Sequence, residues 1–202
     1  MAKPSDKRSP LAVTVLALLF EAPMHPYRMH ELIKERRKDS VVNVAQRNSV
    51  YQTIERLQRN GWISVAETQQ VSGRPERVVY EITSKGRATL EEWMKEMLAS
   101  PSQEYPEFPV ALSYLPILGA KEVQARLEMR KQAVAAAIKE AQDSAKAATA
   151  MGLPRLFLLE EEYKITLLKA ELKWVEETIA ALKSGELAWD MTKLLESFGK
   201  QT

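Results

Sequence analysis

Apolar positions recur along this chain with two different periods, and the change of period marks its organisation. Leu11 to Ala22, LAVTVLALLFEA, is apolar nearly all round, which predicts a buried helix. Ser9-Pro10 in front of it supplies an N-cap and a proline at the first helical position. Pro23 closes it, because the residue before a proline avoids the helical region. A second helix restarts at Pro26 and runs through YRMHELIKERRK. Tyr27, Met29 and Ile33, with His30 or Leu32, are expected inside. Arg28, Lys34, Arg36, Arg37 and Lys38 are expected to face water or phosphate. SVVNVAQ is an irregular link.

From Arg47 the pattern is again helical. Val50, Ile54 and Leu57 recur at i, i+4, i+7 and make one apolar face. Asn48, Gln52, Arg56 and Arg59 lie opposite, with Ser49 and Tyr51 at the near end. Gly61 is a helix stop, since glycine takes the left-handed conformation readily. The period then falls to two. Ile63 and Val65, then Val78, Tyr80 and Ile82, predict two half-buried strands. Ser72-Gly73-Arg74-Pro75 between them is a hairpin tip carrying a cation. Two helices followed by a basic-tipped hairpin predict a winged helix-turn-helix, a shape that reads DNA. Residues 84–99, SKGRATLEEWMKEMLA, predict another helix with Leu90, Trp93, Met94 and Met97 on one face.

Four of the ten prolines fall between 101 and 116, which sets a boundary there. The expected domains are 1–100 and 101–202, with Tyr105, Phe108 and Tyr114 packed as a hinge. Residues 120–150 are Ala-rich and strongly helical; Gly152 and Pro154 break the pattern. Residues 155–183 then carry the stripe Ile165, Leu168, Leu172, Val175, Ile179 and Leu182, with alternating spacings of three and four. A second apolar row, Leu156, Leu159, Tyr163, Leu167, Ala170 and Trp174, lies on a neighbouring face. One row can pack on the Ala-rich helix; the other has no cover left within the chain. Large apolar patches are uncommon on monomers, so a second subunit is expected, with the heptad stripe as its contact. Folding back of Leu187, Trp189 and Leu195 is the alternative cover.

Charge refines this picture slightly. The formal net charge is +2, but residues 1–100 carry 16 basic against 12 acidic side chains, and residues 101–202 carry 13 against 15. The basic excess lies in the half with the helix and hairpin, as an electrostatic footprint for DNA would. There are no cysteines, so no disulfide or thiolate chemistry is available. No run approaches ~18 apolar residues, so no transmembrane helix and no membrane partner are expected. No signal peptide is expected either, and a cytoplasmic setting fits. His25 and His30 are five apart, not the four that would place two ligands on one helical turn, so no metal site is expected. Neither a Gly-rich phosphate loop nor a nucleophile elbow is present; no enzyme activity and no cofactor are expected. Glu160-Glu161-Glu162 reads as solvated helix surface.

The residue types on the third helix suit DNA. Asn and Gln can bond bidentately to adenine and Arg to guanine in the major groove. Ser and Tyr hydroxyls suit phosphate oxygens. Glu55 is repelled by phosphate, so it either accepts from a cytosine amino group or points away. The candidate DNA contacts are Arg28, Arg47, Asn48, Ser49, Tyr51, Gln52, Arg56, Arg74 and Arg77. A solvated polar helix face is the plain alternative, and winged helices also serve as protein–protein interaction modules without DNA binding.

Three stretches, LAVTVLALLFEAPMHPYRMHELI, SVYQTIERLQRNGWI and SGRPERVVYEITSKGRATL, resemble the PadR family of bacterial transcriptional regulators. EFPVALSYLPILG resembles the start of the C-terminal region in its long subfamily. The resemblance implies a mostly α fold with a small β wing, an N-terminal winged helix-turn-helix and a C-terminal long-helix region that makes a homodimer. It implies a repressor on a pseudo-palindromic double-stranded operator, released in some members by a small aromatic or drug-like effector. Trp93, Tyr105, Phe108, Tyr114 and Trp174 are the aromatic effector candidates, with plain packing as their alternative. Two departures stand out. Pro26 stands where the family commonly has Gly, and Arg47-Asn48 stands where it commonly has Pro-Gly.

Overall fold

Ser9 caps the first helix through its side chain: its Oγ accepts from the Ala12 N–H at 3.2 Å and opens α1, Pro10–Glu21. In the computed structural model, which describes residues 8–44, 47–69 and 77–191, the chain divides into two compact units, Met1–Gln103 and Glu104–Thr202. In the first unit α1 is the spine, burying Ala12, Val13, Val15, Leu16, Leu18 and Leu19. α2, Pro26–Glu35, is capped by His25, whose Nδ1 accepts from the Tyr27 N–H at 3.1 Å. It buries Pro26, Met29 and Ile33. Tyr27 is exposed, contrary to expectation, because it lies off that i, i+3, i+7 stripe. The irregular link adds Val42 and Val44 to the core.

α3, Arg47–Arg59, buries Val50, Ile54 and Leu57 as its spacing predicts, and also Thr53, whose hydroxyl donates to the Ser49 carbonyl at 2.8 Å. Gly61 ends it at φ +71°. β1, Ile63–Gln69, then pairs antiparallel with β2, Arg77–Ile82, in the register Ile63↔Ile82 and Val65↔Tyr80, with a slip between Val65 and Glu67. Residues 72–75, the predicted hairpin tip, lie outside the described residues. Met24 adds a third rung that no periodicity announces: it exchanges both backbone hydrogen bonds with Tyr80, at 3.0 and 3.1 Å.

α4, Ser84–Ala99, is capped by Thr83, whose Oγ1 accepts from the Gly86 N–H at 3.0 Å and donates to the Gly61 carbonyl at 2.8 Å. Leu90 and Trp62 join the core, and Trp93 meets Trp62 edge-on at 5.0 Å between ring centroids. Burying side chains of this size stabilises by roughly 1.5–3 kcal/mol each.

In the second unit α5, Glu107–Ser113, precedes two long helices, α6, Ala120–Ala150, and α7, Leu159–Ser184. α6 and α7 pack as an antiparallel pair. Val123 and Leu127 form a core with Val175 and Ile179, joined at its edge by Phe108, Leu115, Leu182 and Trp189. Arg130 and Glu171, Lys131 and Glu176, and Glu128 and Lys183 pair across the two helices at 2.6, 3.1 and 2.7 Å.

This packing corrects one expectation. Spacing alone predicts the stripe Ile165, Leu168, Leu172, Val175, Ile179 and Leu182 as the contact with a second subunit. Val175 and Ile179 are instead buried within the chain and the other four are half-buried. Val175 and Ile179 are thereby taken up within the chain. The neighbouring row remains outside: Leu156, Leu159, Tyr163, Leu167 and Trp174 are all exposed. Trp189 folds back, its Nε1–H donating to the Leu118 carbonyl at 2.9 Å, while Leu195 lies outside the described residues. Tyr105 and Tyr114 are 84% and 64% exposed rather than packed as a hinge. Among the described residues no helix is long and apolar enough to cross a membrane.

Candidate nucleic-acid interface

The buried stripe of α3 turns a polar face outward. Tyr51, Gln52, Glu55, Gln58 and Arg59 are exposed along it, and Ser49 is half-buried at its near end. Arg47 and Asn48 belong to the first turn of the same helix. Arg77 opens β2, and Arg74 lies outside the described residues.

The far end of α3 is tied to the base of the hairpin. The Lys85 Nζ donates to the Asn60 carbonyl at 2.8 Å, and the Thr83 N–H donates to the Trp62 carbonyl at 3.0 Å. The segment that leads from α3 into β1 is thus held by the start of α4 through a backbone and a side-chain bond. Tyr80 on β2 reports its closeness to α3. Burial pushes its phenol above the ordinary value, and the negative charge of Glu55 and the phenol of Tyr51 push in the same direction. Tyr80 thus keeps its proton at neutral pH. Glu55 is solvent-facing, in the middle of the polar face, and available to accept hydrogen bonds.

Two of the arginines are bonded within the unit. Arg28 does not face water alone: its Nη1 donates to Glu35 at 2.8 Å and lies 3.5 Å from Glu31, and the Glu35 hydrogen bond holds its guanidinium above its ordinary value. The pair is exposed, and Arg28 faces water as expected. Arg56 does not share the outer face. It is half-buried and turned toward α1, where its Nη2 donates to Ser9 Oγ at 2.9 Å. Its Nε is buried without an acceptor. Arg36 is likewise tied back, to Glu21 at the end of α1, at 2.6 and 2.8 Å.

Of the aromatic effector candidates, Phe108 and Trp174 are brought together, edge-on at 5.9 Å. The Arg130 guanidinium lies 3.4 Å from the Phe108 ring centroid on the same side of the unit as its partner Glu171. Trp93 belongs to the Trp62 cluster of the first unit. Among the described residues no cluster of three or more His, Asp or Glu side chains could hold a metal ion.

Three features went unread in the sequence. The Met24–Tyr80 rung is a single long-range pair with no repeat to betray it. The inward turn of Arg56 depends on where α1 lies. Thr53 sits beside the apolar stripe and is buried only because its hydroxyl finds a carbonyl within its own helix.

Helix, link, helix, then a two-stranded hairpin packed on the second helix's end, define a winged helix-turn-helix protein. Residues 15–92 match the model of the transcriptional regulator PadR-like family. Its members are transcriptional regulators rather than enzymes. No curated protein sequence matches the chain. Among solved structures, Bacillus subtilis PadR in complex with operator DNA is similar at 19% identity over 86% of this chain and 99% of that one, with a TM-score of 0.71. The same protein in complex with p-coumaric acid is similar at 19% identity over 86% and 98%, with a TM-score of 0.69. The Vibrio cholerae virulence activator AphA is similar at 19% identity over 86% and 98%, with a TM-score of 0.64. These likenesses show a shared fold across both units.

Proposed function

We propose that this chain is a homodimeric, sequence-specific DNA-binding regulator that represses by occupying its operator and is released by a small aromatic effector. The observation that carries the reading is the outward polar face of α3, with Tyr51, Gln52, Glu55 and Arg59, held beside the hairpin in a segment that matches the PadR-like family. Gln52 and Asn48 are the base-reading candidates, Tyr51 and Ser49 the phosphate-positioning ones. Arg47 and the wing arginines Arg74 and Arg77 supply the cationic flank. Arg28, exposed near the start of α2, is a further phosphate-contact candidate.

The dimer is supported by the exposed row of α7. Tyr163, Leu167 and Trp174 present apolar surface that a single chain leaves wet, and burial against a second copy would stabilise by roughly 25 cal/mol per Å². Two copies would set their third helices about one DNA turn, ~34 Å, apart, to meet a pseudo-palindrome. An effector acts only if it binds the released geometry better than the bound one. Phe108 and Trp174 offer aromatic edges, which suits an aromatic ligand of the kind that PadR from B. subtilis was solved with.

Enrichment of bound fragments from random duplex DNA tests this reading. The expected product is one motif with two-fold symmetry. Failure to enrich any duplex, even in dilute buffer, would overturn it.

A further inference from the structure

We infer that Arg56 is a positioning residue that sets the roll of α3 through Ser9, rather than a group that touches DNA. The inference rests on the proposed reading of α3 as the DNA-reading helix.

The buried stripe of α3 holds the helix against its unit, but apolar burial is not directional. It leaves a helix free to roll by small angles. Its far end is fixed by hydrogen bonds from Thr83 and Lys85 to Gly61, Trp62 and Asn60. The body of the helix needs a second directional tie, and Arg56 makes one. Its Nη2 donates at 2.9 Å to Ser9 Oγ, which also accepts from the Ala12 N–H at 3.2 Å and so cannot swing away without uncapping α1. The neighbouring Arg8 is held to Glu96 of α4 at 2.7 Å, which pins residues 8 and 9 from the other side. A hydrogen bond fixes angle as well as distance.

The same geometry removes Arg56 from the DNA face. The residue is half-buried, its Nε–H is shielded from water, and reaching a phosphate would break the tie to Ser9. Gln52 and Glu55, one to four residues away on the outer face, are the groups whose aim this tie controls.

The test uses the full-length protein, the duplex that the wild type enriches, and a scrambled duplex. Arg56→Ala, Ser9→Ala, the double variant and Ser9→Thr are compared over a salt series, with thermal unfolding read alongside. Each single Ala variant is expected to weaken binding to the enriched duplex about tenfold, while binding to the scrambled duplex is unchanged. The slope of log affinity against log salt is expected to stay at the wild-type value. The double variant is expected to be no weaker than either single one, and Ser9→Thr, which keeps the acceptor oxygen, to restore binding. A slope reduced by roughly 0.9 in Arg56→Ala would reveal a phosphate contact and overturn the inference. So would relaxed preference at one base position with Ser9→Ala unaffected, or a lowered unfolding temperature with wild-type affinity in the folded protein. If Arg56→Ala fails to fold, the contrast between Ser9→Ala and Ser9→Thr decides, and equal affinities overturn the inference. A wild type that enriches no duplex fails at the first step and overturns the DNA-reading function itself, which separates the two.

Discussion

Gly86 sits where no other side chain fits. A Cβ there would lie 2.0 Å from the Trp62 carbonyl oxygen and 2.9 Å from an Ile82 side-chain carbon. Helix α4 approaches the hairpin base this closely only because position 86 lacks that atom. Gly86→Ala is expected to lower unfolding free energy by about 1–3 kcal/mol in urea melts, and an unchanged midpoint would contradict the packing described. Glu21 and Arg36 make a milder case. The Arg36 hydrogen bond holds the Glu21 carboxyl below its ordinary 4.5, against a smaller opposing effect of burial. A depressed folded value means that the pair's stabilisation is present above the unfolded value and is lost as pH falls through the folded one. Both groups are mostly exposed, so the contribution is about 0.2–1 kcal/mol. Glu21→Gln should therefore melt slightly earlier at neutral pH and together with the wild type at about pH 2. An equal gap at both would locate the effect elsewhere. At the proposed interface, Gln52→Ala is expected to relax preference at one base position; an unaltered enriched motif would remove Gln52 from base readout.

Among the elements, α7 is the one whose two apolar rows compete for different partners. Val175 and Ile179 face α6, whereas Tyr163 and Leu167 face outward. Val175→Glu is expected to unfold the second unit, because it buries an unpaired carboxylate. Leu167→Glu is expected to leave helicity intact and yield monomers in sedimentation; dimers that persist would deny that row its role. Periodicity revealed both rows but not their assignment, since each is apolar and the choice is made by where the antiparallel helix lies. The same limit explains Arg56, a polar residue at the border of an amphipathic face, whose Nη2 bonds Ser9, 47 residues earlier. By contrast α1, the stripe of α3 and the Gly61 stop were legible, because cap, spacing and left-handed glycine are local rules that the surroundings reinforce. Tyr105 and Tyr114 misled for the opposite reason: apolar character alone does not say that a neighbour is present.

For the whole molecule, the proposed function assigns DNA to the first unit and dimerisation to the second. The excess of basic residues falls in the first hundred, with the polar face of α3 and the hairpin, and the long helices carry the uncovered apolar row. Under the proposed function, coupling would show as effector-dependent affinity: a small aromatic effector is expected to weaken operator binding, and to bind the protein more weakly when operator is present, since such coupling is reciprocal. The central claim is that the outer face of α3 binds duplex DNA largely through charge and polar contact. Fluorescence anisotropy of a labelled enriched duplex across a salt series tests it most directly. The account predicts two protomers per duplex and a log affinity that falls linearly with log salt. No binding at low salt, or an affinity indifferent to salt, would contradict it.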